Sequence, residues 1–294
     1  MTNPDAGNGS CASCFTVNAG PAVTSTSPSS RGQGATSQSI TITGTGFVSG
    51  ATASFAASGI TVNSTTFVSA TSLTANVTVS SGATTGAGSV TVTNPDAGNG
   101  SCGGCFTVNA GPTVTSTSPS SRGQGAASQN VTVTGTNFVN GAAATFSGTG
   151  VTVNSTTFVS ATSLTANVTV TSGAATGARN ATVTNPDAGN GSCSGCFTVN
   201  AGPTITSPNS TTPAIVPNGT SLPVTIIGTG FQSGATVTIS GNGFTLNSTT
   251  FVSSSQLTIN VTAKNGNGFK GTYDLTVTNP DGGLVTSAGS IVNQ

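Results

Sequence analysis

The chain has 294 residues and almost no charge, with five basic and five acidic side chains, 3% of the total, and a net charge of zero, where ordinary soluble domains carry about a quarter. So little charge supplies neither a cationic stripe for phosphates nor a polybasic run for anionic lipid, so no nucleic acid and no membrane surface is expected as a partner. No apolar run approaches the roughly 20 residues of a membrane-spanning helix, and Met1-Thr2-Asn3-Pro4 lacks the charged start and apolar stretch of a secretory leader, so neither a leader nor direct membrane insertion is expected.

In chain order, the first feature is the string Asn-Pro-Asp-Ala-Gly-Asn-Gly-Ser-Cys-x-x-Cys-Phe-Thr-Val-Asn-Ala-Gly-Pro at Asn3. It recurs 91 residues on at Asn94 and another 91 on at Asn185. A shorter copy, Asn-Pro-Asp-Gly-Gly, begins at Asn279 and has Ser287 and Ser290 where the others have cysteines. A period of that size is one small domain. Residues 1–19 therefore read as the closing strand or hairpin of a preceding repeat, and 20–110, 111–201 and 202–294 as three complete repeats. The first two are nearly identical; the third has drifted, as terminal capping repeats do.

Within the second repeat, Val131 and Val133 alternate with Thr, Leu164, Ala166, Val168 and Val170 alternate with polar residues, and Ala181 and Val183 do so again. Period two marks half-buried strands, and persistent apolar alternation argues against disorder despite the low charge. Clusters such as 118–125 and 171–177, rich in Gly, Ser and Pro, supply the turns between strands. No segment shows a helical apolar stripe. The expected fold is all-β, with about seven short strands per repeat packed as a two-sheet sandwich around Phe138, Phe146, Phe158 and Phe197. The joints at 108–113 and 199–204, Val-Asn-Ala-Gly-Pro-Thr, leave hardly any linker, and a Pro restricts the backbone there. Sandwiches of about 33 Å stacked end to end would then reach on the order of 100 Å.

The cysteines form three Cys-x-x-Cys pairs, Cys11/Cys14, Cys102/Cys105 and Cys193/Cys196. Their spacers, Ala-Ser, Gly-Gly and Ser-Gly, suit a tight turn whose ends approach within about 7 Å. A local disulfide in each pair is expected, and the joint loss of both cysteines in the third repeat fits partnered residues. A zinc site needs four ligands, and the pairs lie 91 residues apart in a chain without His. A redox thiol pair would open a helix, which this context lacks. Asp96, Asp187 and Asp281 recur in the Asn-Pro-Asp strings and read as turn caps, since a calcium site gathers several carboxylates. With no His, no Glu and no paired carboxylates inside a repeat, no general acid or base is available, and neither an enzyme nor a cofactor is expected. Thirteen Asn-x-Ser/Thr sequons, among them Asn63, Asn76, Asn154, Asn167, Asn247 and Asn260, are candidate glycosylation sites. Composition weakens that signal, because roughly ten would arise by chance among 26 Asn in so Ser- and Thr-rich a chain.

Three motifs recur in fixed order. They are an opening Thr-Ser-Pro at 26–28, 117–119 and 206–208, a second-strand turn at Gly44-Thr45-Gly46-Phe47, Gly135-Thr136-Asn137-Phe138 and Gly228-Thr229-Gly230-Phe231, and the closing Asn-Pro-Asp. In these the chain resembles the IPT/TIG family of immunoglobulin-like domains over nearly its whole length. The resemblance implies tandem immunoglobulin-like sandwiches and leaves the activity open, since such domains serve in surface receptors, DNA-binding factors, carbohydrate-active enzymes and bacterial surface proteins. Near-identical repeats, charge depletion and paired cysteines are similar to the use in prokaryotic cell-surface proteins. The expectation is an extracellular structural repeat protein, a stalk or filament subunit whose partners are other copies of itself. The alternatives are an adhesin-type module for glycans or surface proteins, and an accessory region of a secreted carbohydrate-active enzyme.

Overall fold

The computed structural model describes residue 4, residues 10–208 and residues 214–294. The chain divides into two compact units, Met1–Gly111 with Asp187–Gly189, and Pro112–Pro186 with Asn190–Gln294. No α-helix occurs among the described residues.

In the first unit eight strands follow one another: β1 (Ala22–Ser27), β2 (Ser30–Gly32), β3 (Gln38–Thr45), β4 (Thr52–Phe55), β5 (Ile60–Ser69), β6 (Ser72–Val79), β7 (Gly86–Thr93) and β8 (Asn99–Asn109). They form two four-stranded sheets, ordered β1-β3-β6-β5 and β2-β8-β7-β4. Every pair is antiparallel except β2 with β8. The count is eight because the opening strand is split at Pro28, which has no N–H for a ladder, so β1 stays in one sheet and β2 joins the other. Alternation then sends Ile40, Ile42, Leu73, Ala75, Val77 and Val79 inward, all fully buried. Phe55 and Phe106 meet edge to face between the sheets, ring centroids 4.9 Å apart.

The second unit repeats this pattern twice. Strands β9 (Thr113–Ser118), β10 (Ser121–Gly123), β11 (Gln129–Thr136), β12 (Ala143–Phe146), β13 (Val151–Ser160), β14 (Ser163–Val170), β15 (Gly177–Thr184) and β16 (Asn190–Asn200) form the sheets β9-β11-β14-β13 and β10-β16-β15-β12. Strands β17 (Thr204–Pro208), β18 (Ala214–Val216), β19 (Ser221–Thr229), β20 (Thr236–Ile239), β21 (Phe244–Ser253), β22 (Gln256–Ala263), β23 (Gly271–Thr278) and β24 (Leu284–Asn293) form β17-β19-β22-β21 and β18-β24-β23-β20. The alternating residues named from the sequence, Val131 to Val183, are all buried. Phe138, Phe146 and Phe197 join them, while Phe158 packs half-buried against the cluster.

Two segments take a local form that the sequence pattern does not show. Residues 10–20 form no strand, and Phe15 and Val17 are 85% and 82% exposed, whereas their repeat equivalents Phe106 and Val108 are 1% exposed. Strand β8 is held by β7 and β2, whereas residues 10–20 pair with no strand among the described residues. The Cys-x-x-Cys pairs were expected in a tight hairpin turn. In the complete repeats they lie inside the closing strand: Gly88 pairs with Phe106 and Val90 with Cys102, so two extra residues bulge out of β8. Gly104 sits in that bulge at φ +68°, a left-handed conformation that glycine adopts without steric cost.

Candidate functional site

Apart from Pro4, the first Asn-Pro-Asp string at 3–5 lies outside the described residues. In the other three the Asn is the buried member. Asn279, 2% exposed, donates through Nδ2 to the Gly230 carbonyl at 2.8 Å and accepts at Oδ1 from the Gln232 N–H at 3.2 Å. Asn94 does the same with Gly46 and Val48, and Asn185 with Asn137 and Val139. Each Asn thus ties the closing turn to the second-strand turn, two motifs that the sequence shows only as separate recurrences.

The aspartates cap the turns. Asp281 Oδ1 accepts from the Gly283 N–H at 3.0 Å, and Asp96 and Asp187 accept from Gly98 and Gly189 in the same way. The second carboxylate oxygen faces a neighbouring repeat. Asp281 Oδ2 accepts from Asn200 Nδ2, the last residue of β16, at 2.9 Å, and from Gln232 Nε2 at 2.9 Å. Within the first unit Asp187 takes Asn109 Nδ2 at 2.8 Å, and Asp96 takes Asn18 Nδ2 at 3.3 Å. With both oxygens of these carboxylates engaged by N–H donors, the turns are built for polar capping rather than for a cation. Among the described residues no three Cys, Asp or Glu side chains gather into a metal-ligating group.

Backbone contacts complete the joint in the second unit. Gly123 donates to the Asp281 carbonyl at 3.2 Å and Leu284 to the Gln124 carbonyl at 3.1 Å. The Gln124 side chain spans the linker, accepting from the Gly202 N–H at 3.1 Å and donating to the Ala174 carbonyl at 2.6 Å. A Cβ on Gly123 would fall 2.6 Å from Gly283 Cα, a clash with backbone, so only glycine lets the loop approach. Gly32 makes the equivalent contact with Gly189 in the first unit. Arg122, 8% exposed beside this contact, donates to the Asn130 carbonyl at 2.6 Å. Burial pulls its pKa below the usual arginine value, and the nearby Asp281 charge opposes that. Sequence reasoning treated Ser-Arg-Gly-Gln-Gly as turn composition and missed this role; the available signal was its presence in repeats one and two and its replacement in repeat three.

Residues 112–200 match the IPT/TIG domain family. The IPT/TIG match falls on one repeat, whose eight strands and sheet orders recur on both sides of it. Nothing among curated proteins matches the chain by sequence. Similar solved structures include the I9–I11 tandem of titin (10% identity, 90% of this chain and 96% of that one, TM-score 0.31). Others are invasin, a bacterial integrin-binding protein (14%, 90% and 58%, TM-score 0.29), and Bacteroides ovatus SGBP-B in complex with a mixed-linkage heptasaccharide (15%, 94% and 71%, TM-score 0.25). At such scores these neighbours add nothing to the sandwiches already traced from strand pairing.

The remaining candidates fall into place around these sandwiches. Cys102 and Cys105 lie side by side with Cα atoms 5.8 Å apart, Cys193 and Cys196 at 5.9 Å, and Cys11 and Cys14 at 5.6 Å. Buried Thr26 and Thr117 reach across from the opposite sheet to the carbonyls of Cys105 and Cys196 at 2.5 Å. In the third repeat Ser287 and Ser290 pair through their hydroxyls in the same bulge. The six sequon asparagines are brought together in three ladders: Asn63 donates to Asn76 at 2.7 Å, Asn154 to Asn167 at 2.8 Å and Asn247 to Asn260 at 3.1 Å. No helix among the described residues is long and apolar enough to cross a membrane.

Proposed function

We propose that 20–110, 111–201 and 202–294 are three complete IPT/TIG repeats, preceded by the end of another at 1–19, and that they serve as a non-catalytic extracellular structural module, a stalk or filament subunit of a prokaryotic cell surface. The observation that carries this is the joint. Gly123 meets Gly283 backbone to backbone, and Asp281 is shared between its own turn and Asn200, so the connection from Asn200 to Thr204 is anchored by hydrogen bonds at Asn200 and Gly202 instead of acting as a free tether. The carboxylates of Asp96, Asp187 and Asp281 are spent on turn capping, which favours a mechanical role over a chemical one. A disulfide in each Cys-x-x-Cys pair fits an oxidising compartment, and the paired sequons, Asn63 with Asn76 and their equivalents, lie on outward faces of the sheets, Asn63 and Asn154 exposed, where a glycosylating cell could modify them.

Electron microscopy of the native material is the direct test. Ordered fibres, or stalks with an axial period of one repeat, support the reading; particles with independently tumbling repeats overturn it. Non-reducing mass spectrometry of protein from its native setting would find six free thiols if the disulfide assignment is wrong. Specific, competable binding on a glycan array would replace the spacer reading with an adhesive one.

A further inference from the structure

The joint has two halves, and the third repeat carries only one of them. Its Asn279-Pro280-Asp281-Gly282-Gly283 loop docks on the second repeat as described. Its own far end differs at the Arg, Gly and Gln positions of the acceptor. Strand pairing aligns β18 with β2 and β10, so Arg31 and Arg122 correspond to Ile215, and Gly32 and Gly123 to Val216. Pro217 follows where Gln33 and Gln124 stand, and it brings neither a side-chain amide nor a backbone N–H.

Two of these differences act at one place, together with the closing Asn. Val216 is fully buried in its own core, at the position that Gly123 leaves open to Gly283 of the next loop. The third repeat therefore plugs itself where the second accepts a neighbour. Asn293, the equivalent of Asn200, is 1% exposed, and its Nδ2 turns inward to the Gly243 and Lys264 carbonyls, both at 3.0 Å. It is not free to reach an aspartate outside. Ile215, 53% exposed, replaces a buried arginine that lay beside the docked loop.

We propose that Arg-Gly-Gln together with the closing Asn is a specific acceptor for Asn-Pro-Asp-x-Gly loops, that this makes the stacking of repeats directional, and that the third repeat terminates it. A repeat with such a loop is held when placed before the third repeat and is not held when placed after it. This rests on the joint alone and is independent of the cell surface or any filament.

The test uses the full chain with one added copy of residues 111–201, either inserted after Ala201 or appended after Gln294, with spin labels flanking the new joint. Pulsed electron paramagnetic resonance is expected to give one narrow distance for the insertion and a broad distribution for the appended copy. Grafting the acceptor onto the appended form, with Ile215→Arg, Val216→Gly and Pro217→Gln, should narrow the distribution. Should that graft unfold the third repeat, Gly123→Val in the unextended chain makes the converse test, and should broaden the distance between the second and third repeats while each sandwich stays folded. An appended copy as narrowly held as the inserted one, or a folded Gly123→Val chain with its narrow distance intact, overturns the proposal.

Discussion

At the scale of single residues, the side chain with most at stake is the buried asparagine of each closing turn. Asn185 is 4% exposed and satisfies both the Asn137 carbonyl and the Val139 N–H. Replacing it by Ala removes two hydrogen bonds made by a buried side chain, so Asn185→Ala should cost about 2 kcal/mol. Asn200 makes a single side-chain bond to Asp281 at a half-buried position, and Asn200→Ala should cost only about 1 kcal/mol. Urea unfolding of the full chain, following the transition of the second unit, checks the order of the two. An equal or larger loss at Asn200 would mean that the joint and not the turn carries the stability. The sequence singles out Asp in this string because Asp is the familiar turn cap; it hides the Asn, whose partners lie 46 and 48 residues away.

At the scale of elements, the closing-strand bulge shows why the cysteines are a staple and not a foundation. In the third repeat the register slips between Tyr273 and Leu275 as it does between Gly88 and Val90, with serines at both former cysteine positions. The bulge thus forms without sulfur. A disulfide closing a loop of four residues contributes at most about 2 kcal/mol by chain entropy. The double variant Cys102→Ser with Cys105→Ser should keep the native amide spectrum outside the bulge and lose no more than about that amount. Collapse of the first sandwich in this variant would show that the cysteines direct the strand itself. Strands such as β6 and β14 are legible beforehand because four inward residues alternate with four outward ones ahead of a glycine-bearing turn. The split of the opening strand and the bulge are not, since each depends on which neighbour the strand meets across the sandwich. The edge strands β5, β13 and β21 add a further device that composition conceals: two register slips in each twist the exposed edge and discourage pairing with another copy.

At the scale of the whole molecule, the decisive property is how little of the structure depends on charge. Ten charged side chains serve 294 residues, and the two arginines that burial perturbs, Arg31 and Arg122, each have one aspartate, Asp187 and Asp281, opposing the cost. Raising ionic strength from about 0.01 M to about 1 M shrinks the screening length from about 30 Å to about 3 Å. Hydrophobic burial and backbone pairing do not respond to that screening, and the attraction of Asp187 and Asp281 for Arg31 and Arg122 only partly offsets the cost of burying the arginines. The thermal midpoint should therefore move by no more than about 2–4 °C, the equivalent of about 1 kcal/mol for chains of this size. Calorimetry across that salt range checks it, and a fall of tens of degrees would place the stability in charge interactions after all. With a net charge of zero, moreover, no long-range repulsion keeps copies apart. Any self-association should then be set by surface fit and concentration and be as strong in high salt as in low. Sedimentation at matched protein concentration in both salts measures it, and dissociation on adding salt would identify an electrostatic contact that the sequence, with so few charges, is poorly equipped to make.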